Sequence, residues 1–255
     1  RLCPVIVVDK GYVFTPGRNA GLDAARGEYI SFIDDDDWAE PDFLEFLYHL
    51  AVENSADVSI CGAFREADGE VALVGACDGI HVMDAEDAII ELMWRKRYNT
   101  GFPTKLISRT LFQGVRFTET GRYEDISLMY KILAKASAIV SYGLPKYHVY
   151  RHAGNNSSAT TKDDLITREY LDAYRKAYRE RTEWLCRRFP QQSDYWWYFD
   201  WSFQISMVNK IVSNKLKDCE MHLSEMRQEL ALHQKKFLNS RYILEFEKDW
   251  MEKYI

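Results

Sequence analysis

Arg18-Asn19-Ala20-Gly21-Leu22-Asp23-Ala24-Ala25-Arg26-Gly27-Glu28-Tyr29-Ile30-Ser31-Phe32-Ile33-Asp34-Asp35-Asp36-Asp37 decides the reading of this 255-residue chain. Just ahead of it, Thr15-Pro16-Gly17 has the form of a helix start, with Thr as N-cap and Pro at the first helical position. The helix is expected to run to about Arg26 and to stop at Gly27. Residues 29–33 are short, apolar and suited to a buried strand. Four aspartates end that strand. Working outward, Pro4-Val5-Ile6-Val7-Val8 reads as an earlier strand. Pro41 opens a helix with Phe43, Leu44, Leu47 and Leu50 on one face, and residues 57–61 form a further strand. Strands alternating with helices predict an α/β sheet. Residues 71–74 suit an edge strand, 85–94 and 124–136 helices, and 138–142 and 146–151 strands. Past the polar stretch Gly154-Asn155-Asn156-Ser157-Ser158 the pattern is helical. Leu171, Tyr174, Tyr178 and Leu185 form one stripe. Leu216, Cys219, Leu223, Met226, Leu230, His233 and Phe237 form a heptad seam with one polar member.

The formal net charge is −6, which excludes a general nucleic-acid binder, since such a protein needs a basic surface. Residues 1–160 carry a net charge of −7, so the acid excess lies where a cation site would use it. No run of about 18 apolar residues exists to span a membrane, and Arg1-Leu2-Cys3-Pro4 does not read as a signal peptide. The five cysteines show no CxxC spacing, which favours free thiols in a reducing compartment over zinc or disulfides.

In an extended segment Asp34 and Asp36 would share a face. Two carboxylates about 6 Å apart repel by roughly 3 kcal/mol at an effective dielectric near 20. A hard divalent cation turns that repulsion into coordination. The position also suits a ligand, because open α/β sheets bind at the carboxyl ends of strands. The competing reading is a helix N-terminus dressed with acids, a role that suits Asp37 and Asp42.

The quoted segment resembles the signature of glycosyltransferase family 2: an RN-x-G-L helix, then A-x-G-E-Y-I, then an apolar strand ending in a DxD motif. Lys105-Leu106-Ile107-Ser108-Arg109, Phe117 and Tyr123-Glu124-Asp125-Ile126 resemble the family's K-L-x-x-R … F … E-D-I order. Tyr147-His148-Val149-Tyr150-Arg151 with Ser157-Ser158 resembles its Y-x-Y-R … S ending. The blocks cover roughly residues 5–160. The resemblance implies a GT-A fold, a Rossmann-like and mostly parallel sheet flanked by helices, over residues 1–158, followed by a helical region over 159–255. It departs from the family before the RN helix. Only one strand precedes Asp34, and Val7-Val8-Asp9 resembles just the start of the family's D-D-G-S turn, so the domain reads as incomplete at its N-terminal end.

The same resemblance implies inverting transfer of a hexosyl or N-acetylhexosaminyl group from a UDP-sugar, with Mn²⁺ or Mg²⁺, in bacterial polysaccharide or glycoconjugate synthesis. Asp34 then faces the ribose and, with Asp36 and His152, the metal. Asp9, Arg18, Asp35 and Lys105 complete the donor site. His148 is a weaker metal candidate than His152. A guanidinium near a helix N-terminus suits a diphosphate, although a solvent-facing Arg18 is an equal reading. Lys105 suits either the donor or a sheet carboxylate. Asp125 matches the position of the family's general base, with Glu124 the next candidate; by themselves both read as acids of a first helical turn.

The acceptor is expected to be a glycan, lipid-linked or protein hydroxyl. Two rivals remain: a sugar nucleotidyltransferase, which would carry a Gly-rich basic loop near the first strand, and a non-catalytic GT-A-like partner subunit. The heptad seam and the five tryptophans of the helical region suit homo-oligomerisation or acceptor docking, with internal packing an equal alternative. A cytoplasmic location with peripheral membrane contact completes the expectation.

Overall fold

The computed structural model describes residues 14–67, 69–75, 79–117, 124–151 and 166–255. The strand expected at 4–8, Asp9 and His152 lie outside the described residues. The chain divides into two compact units, Arg1–Asn155 and Asn156–Ile255.

Among its described residues the first unit is a seven-stranded mixed sheet with helices. Its strands are β1 (Tyr29–Ser31), β2 (Trp38–Ala39), β3 (Val58–Ala67), β4 (Glu70–Val74), β5 (Ile80–Met83), β6 (Lys105–Ser108) and β7 (Ile139–Arg151). Its helices are α1 (Phe14–Ala24), α2 (Phe43–Glu53), α3 (Ala85–Trp94) and α4 (Glu124–Leu133). The sheet order is β1-β6-β3-β7-β2, with β4 added to β3 and β5 to β7. Among the described residues only β3 and β7 pair in parallel, and the other pairings are antiparallel. The expected mostly parallel sheet is therefore a mixed one. The reason is β6: it inserts antiparallel between β1 and β3, which run in one direction without touching.

Each element follows from its residues. In α2, Phe43, Leu47, Leu50 and Ala51 recur at helical spacing and are buried. Phe43 and Leu47 pack against Cys61, Ala63, Leu106 and Tyr147 of three strands, each worth about 1.5–3 kcal/mol of burial. In α3, the Asp84 carboxylate accepts a hydrogen bond of 2.9 Å from the Asp87 N–H, and Arg95 ends the helix in the left-handed region. The two strands expected at 138–142 and 146–151 are one long strand, β7, whose register against β3 shifts on either side of Gly62.

Among its described residues the second unit holds four α-helices: α5 (Arg168–Arg188), α6 (Ser193–Ser213), α7 (Glu220–Leu238) and α8 (Glu245–Tyr254). Helix α6 is buried around most of its circumference, with Trp196, Tyr198, Ile205 and Val208 at its core. The heptad seam turns inward: Cys219, Met226, Leu230 and Phe237 are fully buried within this unit. Internal packing is thus the use the structure makes of that seam. Cys61, Cys186 and Cys219 are free thiols.

Gly62 tests the β3–β7 junction. A Cβ there would collide with the carbonyl oxygen of Gly143. Gly62→Ala is expected to destabilise the protein by about 1–3 kcal/mol, the range for an overpacked site. Gly21, inside α1 with open space around it, should tolerate Ala with a gain of up to about 1 kcal/mol. Urea denaturation of both variants measures this; equal losses would mean that the junction is not tight.

Candidate active site

The site grows from the end of β1. The Ser31 hydroxyl donates to the Lys105 carbonyl at 2.9 Å, which ties β1 to β6. Phe32 enters a nest of Phe102, Phe112 and Phe117, with ring centroids 5.1–6.0 Å away. The chain then leaves the sheet. The Asp37 N–H donates to the Asp34 carbonyl at 3.2 Å, so the four aspartates form a turn. The expectation of an extended segment with Asp34 and Asp36 on one face is corrected here. Polar, mutually repelling side chains favour a turn over a continued strand, and β7 holds the turn from beside it. The Tyr147 hydroxyl accepts from the Asp34 N–H at 3.1 Å and is also hydrogen-bonded to Asp37. The Asp37 carboxylate accepts from the Tyr150 N–H at 2.9 Å. Asp37 therefore serves β7 rather than a helix N-terminus. Asp42 stands at the N-terminus of α2 but its carboxylate pairs with Lys146 at 2.6 Å instead of capping.

Arg18, from α1, is the centre. Its guanidinium reaches Asp34 at 3.4 Å, Glu124 at 3.5 Å and Asp125 at 3.3 Å. It lies over the rings of Phe117 and Phe102, 5.4 and 5.7 Å from their centroids, a favourable cation–π setting. Its neighbour Asn19 fixes the helix that carries it. The Asn19 amide donates to the Phe117 carbonyl at 2.9 Å and its oxygen accepts the Phe117 N–H at 3.0 Å.

One cation facing three carboxylates leaves negative charge in excess. Burial pushes the Asp34 carboxyl up, Arg18 opposes that, and Asp36 and Asp35 add to it. The Asp125 carboxyl is pushed up to about 6, chiefly by burial, with Arg18 and Lys105 pulling down and Asp34 and Glu124 pushing up. Its side chain keeps 36% of its surface in solvent, so the shift comes from crowding by surrounding protein rather than from full enclosure. Lys105 is wholly buried and donates to the Gly101 carbonyl. Burial brings its ammonium down to about 8, and the charge of Asp125 raises it.

The structure thus joins Arg18, Asp34, Glu124 and Asp125 directly and Lys105 through its field. Asp35 and Asp36 are exposed on the turn. His148 is engaged elsewhere: its ring nitrogens meet Glu66 at 2.7 Å and Glu40 at 2.9 Å, so it is not an available metal ligand. Asn19 and Tyr147 emerge as positioning residues. Both stand inside the recognised sequence blocks, yet only their hydrogen bonds reveal what they do. Among the described residues no group of three His, Cys, Asp or Glu side chains is arranged to hold a metal ion. No described helix is long and apolar enough to cross a membrane.

Known proteins share parts of this sequence and its fold. The family description Glycosyl transferase family 2 matches residues 3–118. The chain is 29% identical over 167 residues to the glycosyltransferase GlyG of Streptococcus pneumoniae serotype 4, an alignment covering 62% of this chain and 55% of GlyG. It is 43% identical over 54 residues to GlyA of the same organism, covering 20% of this chain and 8% of GlyA. The chain therefore spans about half the length of GlyG and a small part of GlyA. The crystal structure of S. aureus TarS residues 1–349 in complex with UDP-GlcNAc matches with a TM-score of 0.60 at 16% identity, over 94% of this chain and 71% of that one. Residues 3–118, with an RN helix and an acidic turn built around Arg18, are thus similar to glycosyl transferase family 2, and the fold is GT-A.

Proposed function

We propose that the first unit catalyses inverting transfer of a hexosyl or N-acetylhexosaminyl group from a UDP-sugar to a hydroxyl acceptor, with Mg²⁺ or Mn²⁺, in polysaccharide or glycoconjugate synthesis. One observation carries the reading: Arg18 draws the acidic turn and the Glu124–Asp125 helix start into one cluster. The UDP-GlcNAc named for the TarS structure supports the donor class.

The donor atoms suit a hard cation. Asp34 and Asp36 would hold it through carboxylate oxygens, and the small protein ligand set suits an ion that keeps several waters and diphosphate oxygens. When bound, the ion stabilises the negative charge that develops on the departing diphosphate. The chain's own residues do the rest. Asp125 accepts the proton of the acceptor hydroxyl. The acceptor oxygen then bonds to the anomeric carbon as the bond from that carbon to the diphosphate oxygen breaks, and UDP leaves. A single displacement inverts the anomeric centre. Glu124, first in α4 and buried, shares the Arg18 charge and helps to hold Asp125 in place. Lys105 supplies a buried positive charge that favours the ionised base.

Asp125→Asn should retain UDP binding while transfer falls roughly 10²–10⁴-fold, the usual effect of losing a positioned base. Product analysis with a panel of UDP-sugars measures transfer, and calorimetry measures UDP. A near-normal rate would remove Asp125 from the role and pass it to Glu124.

Calorimetry also tests the metal. Chelation or Asp36→Ala should weaken UDP binding, and unchanged affinity would sink the assignment.

The raised Asp125 carboxyl predicts the pH profile as well. The base is protonated and inactive below about 6 and ionised above it, so the acid limb of kcat/KM should fall near 6 rather than near 4. A limb near 4 would show that Asp125 is not crowded as described.

A further inference from the structure

The acidic turn runs directly into β2, a strand of only two residues, Trp38 and Ala39. Among the described residues β2 lies at an edge of the sheet and pairs with β7 alone, Trp38 opposite His148 and Ala39 opposite Tyr147. A ladder of two positions is a weak tether, since even an isolated pair of strands is marginal in water. Other contacts with β7 must therefore hold this segment. Tyr147 and Tyr150 bond the turn itself, and the Glu40 N–H donates to the Lys146 carbonyl at 3.0 Å.

His148 stands in the middle of these contacts and reaches further than any of them. Trp38 stacks on its ring with centroids 3.3 Å apart and planes 13° apart. Its Nε2 meets a Glu40 oxygen at 2.9 Å, and its Nδ1 meets a Glu66 oxygen at 2.7 Å. Glu66 belongs to β3, which lies on the other side of β7 from β2. The imidazole is thus a cross-brace. One nitrogen holds the residue after β2, the other holds the central strand, and the face of the ring carries Trp38. Only 8% of the side chain is exposed, so water is a poor substitute for either bond once it is lost.

We propose that His148 is a positioning residue for the acidic turn: through Trp38 and Glu40 it ties residues 34–40 to β3, and so sets where Asp34 and Asp36 stand. The consequence for donor binding rests on the glycosyl-transfer reading, whereas the brace does not. An imidazole suits the task because it offers two nitrogens at separate points of one rigid ring. Drawing two carboxylates partly out of water costs free energy. An apolar ring would fill the space beneath Trp38 without that cost.

Amide hydrogen exchange tests the brace without nucleotide or metal. The amides of Asp34, Asp37 and Glu40 report on the turn and β2, and those of Cys61 and Ser108 on the sheet. His148→Gln offers one amide group in place of two ring nitrogens. Glu66→Ala cuts the brace at its far end, and keeps the test open if His148→Gln does not fold. In both, protection at Asp34, Asp37 and Glu40 should fall roughly 10-fold, about the worth of one hydrogen bond, while Cys61 and Ser108 keep theirs. Glu66→Gln leaves an acceptor for the ring and should preserve protection throughout. An equal loss at all five amides would make His148 an ordinary contributor to stability, and unchanged turn protection in Glu66→Ala would mean that no brace reaches β3; either result overturns the proposal. Calorimetry of UDP with Mn²⁺ reads the consequence. Affinity should weaken roughly 10-fold in His148→Gln and Glu66→Ala, in the range for residues that orient metal ligands, and stay normal in Glu66→Gln. Full affinity in a protein whose turn has loosened also overturns the positioning role. Absence of UDP binding from the unaltered protein would instead overturn the donor assignment, and the exchange result would still decide the brace.

Discussion

A single guanidinium shared by three carboxylates is the constraint around which the first unit is arranged. Arg18 comes from α1, Asp34 from the turn after β1, and Glu124 and Asp125 from the start of α4. Like charges gathered this closely would separate without a cation between them. The surrounding structure keeps that cation in place. Phe102 and Phe117 offer their faces to it, and the paired hydrogen bonds of Asn19 to Phe117 hold the helix that delivers it. The RN pair thus divides one task between an electrostatic residue and an anchoring residue.

The same crowding sets the chemistry available to Asp125. Protein atoms around its carboxyl disfavour the charged form, and Arg18 and Lys105 restore only part of the loss. A carboxylate in that balance is ionised at neutral pH yet takes up a proton more readily than an ordinary aspartate. Lys105 can play its part because β6 places it in the interior, at the end of its pairing with Ile60 of β3.

The helical unit handles its buried charges differently. Asp200, buried in α6, meets Arg179 at 3.0 Å and Gln204 at 2.8 Å, and Arg179 also pairs with Glu229 of α7. The Tyr198 hydroxyl donates to the buried Glu247 at 2.9 Å, linking α6 to α8. These contacts close within the unit, as its aromatic packing does. Its heptad spacing is therefore spent on joining its own helices.

Local sequence determined much of this protein. The spacing of Phe43, Leu47 and Leu50 marks a helix, and Tyr29–Ser31 with its acidic end marks the strand that bears the site. These features depend on neighbours a few residues apart, and such neighbours are visible in a linear chain. The dense block from Arg18 to Asp37 carried the family resemblance for the same reason. Tertiary structure decided what depends on distant partners. β6 enters the sheet between β1 and β3 because of hydrogen bonds to residues some 50–80 positions away. The acidic run turns because Tyr147 and Tyr150 hold it. Arg18 faces carboxylates 16 and 107 residues distant rather than solvent, and His148 is enclosed by Glu40 and Glu66 rather than left to bind a metal. Charge and side-chain type are properties of a residue. Partner and proton affinity belong to the space around it, which exists only once the chain has folded.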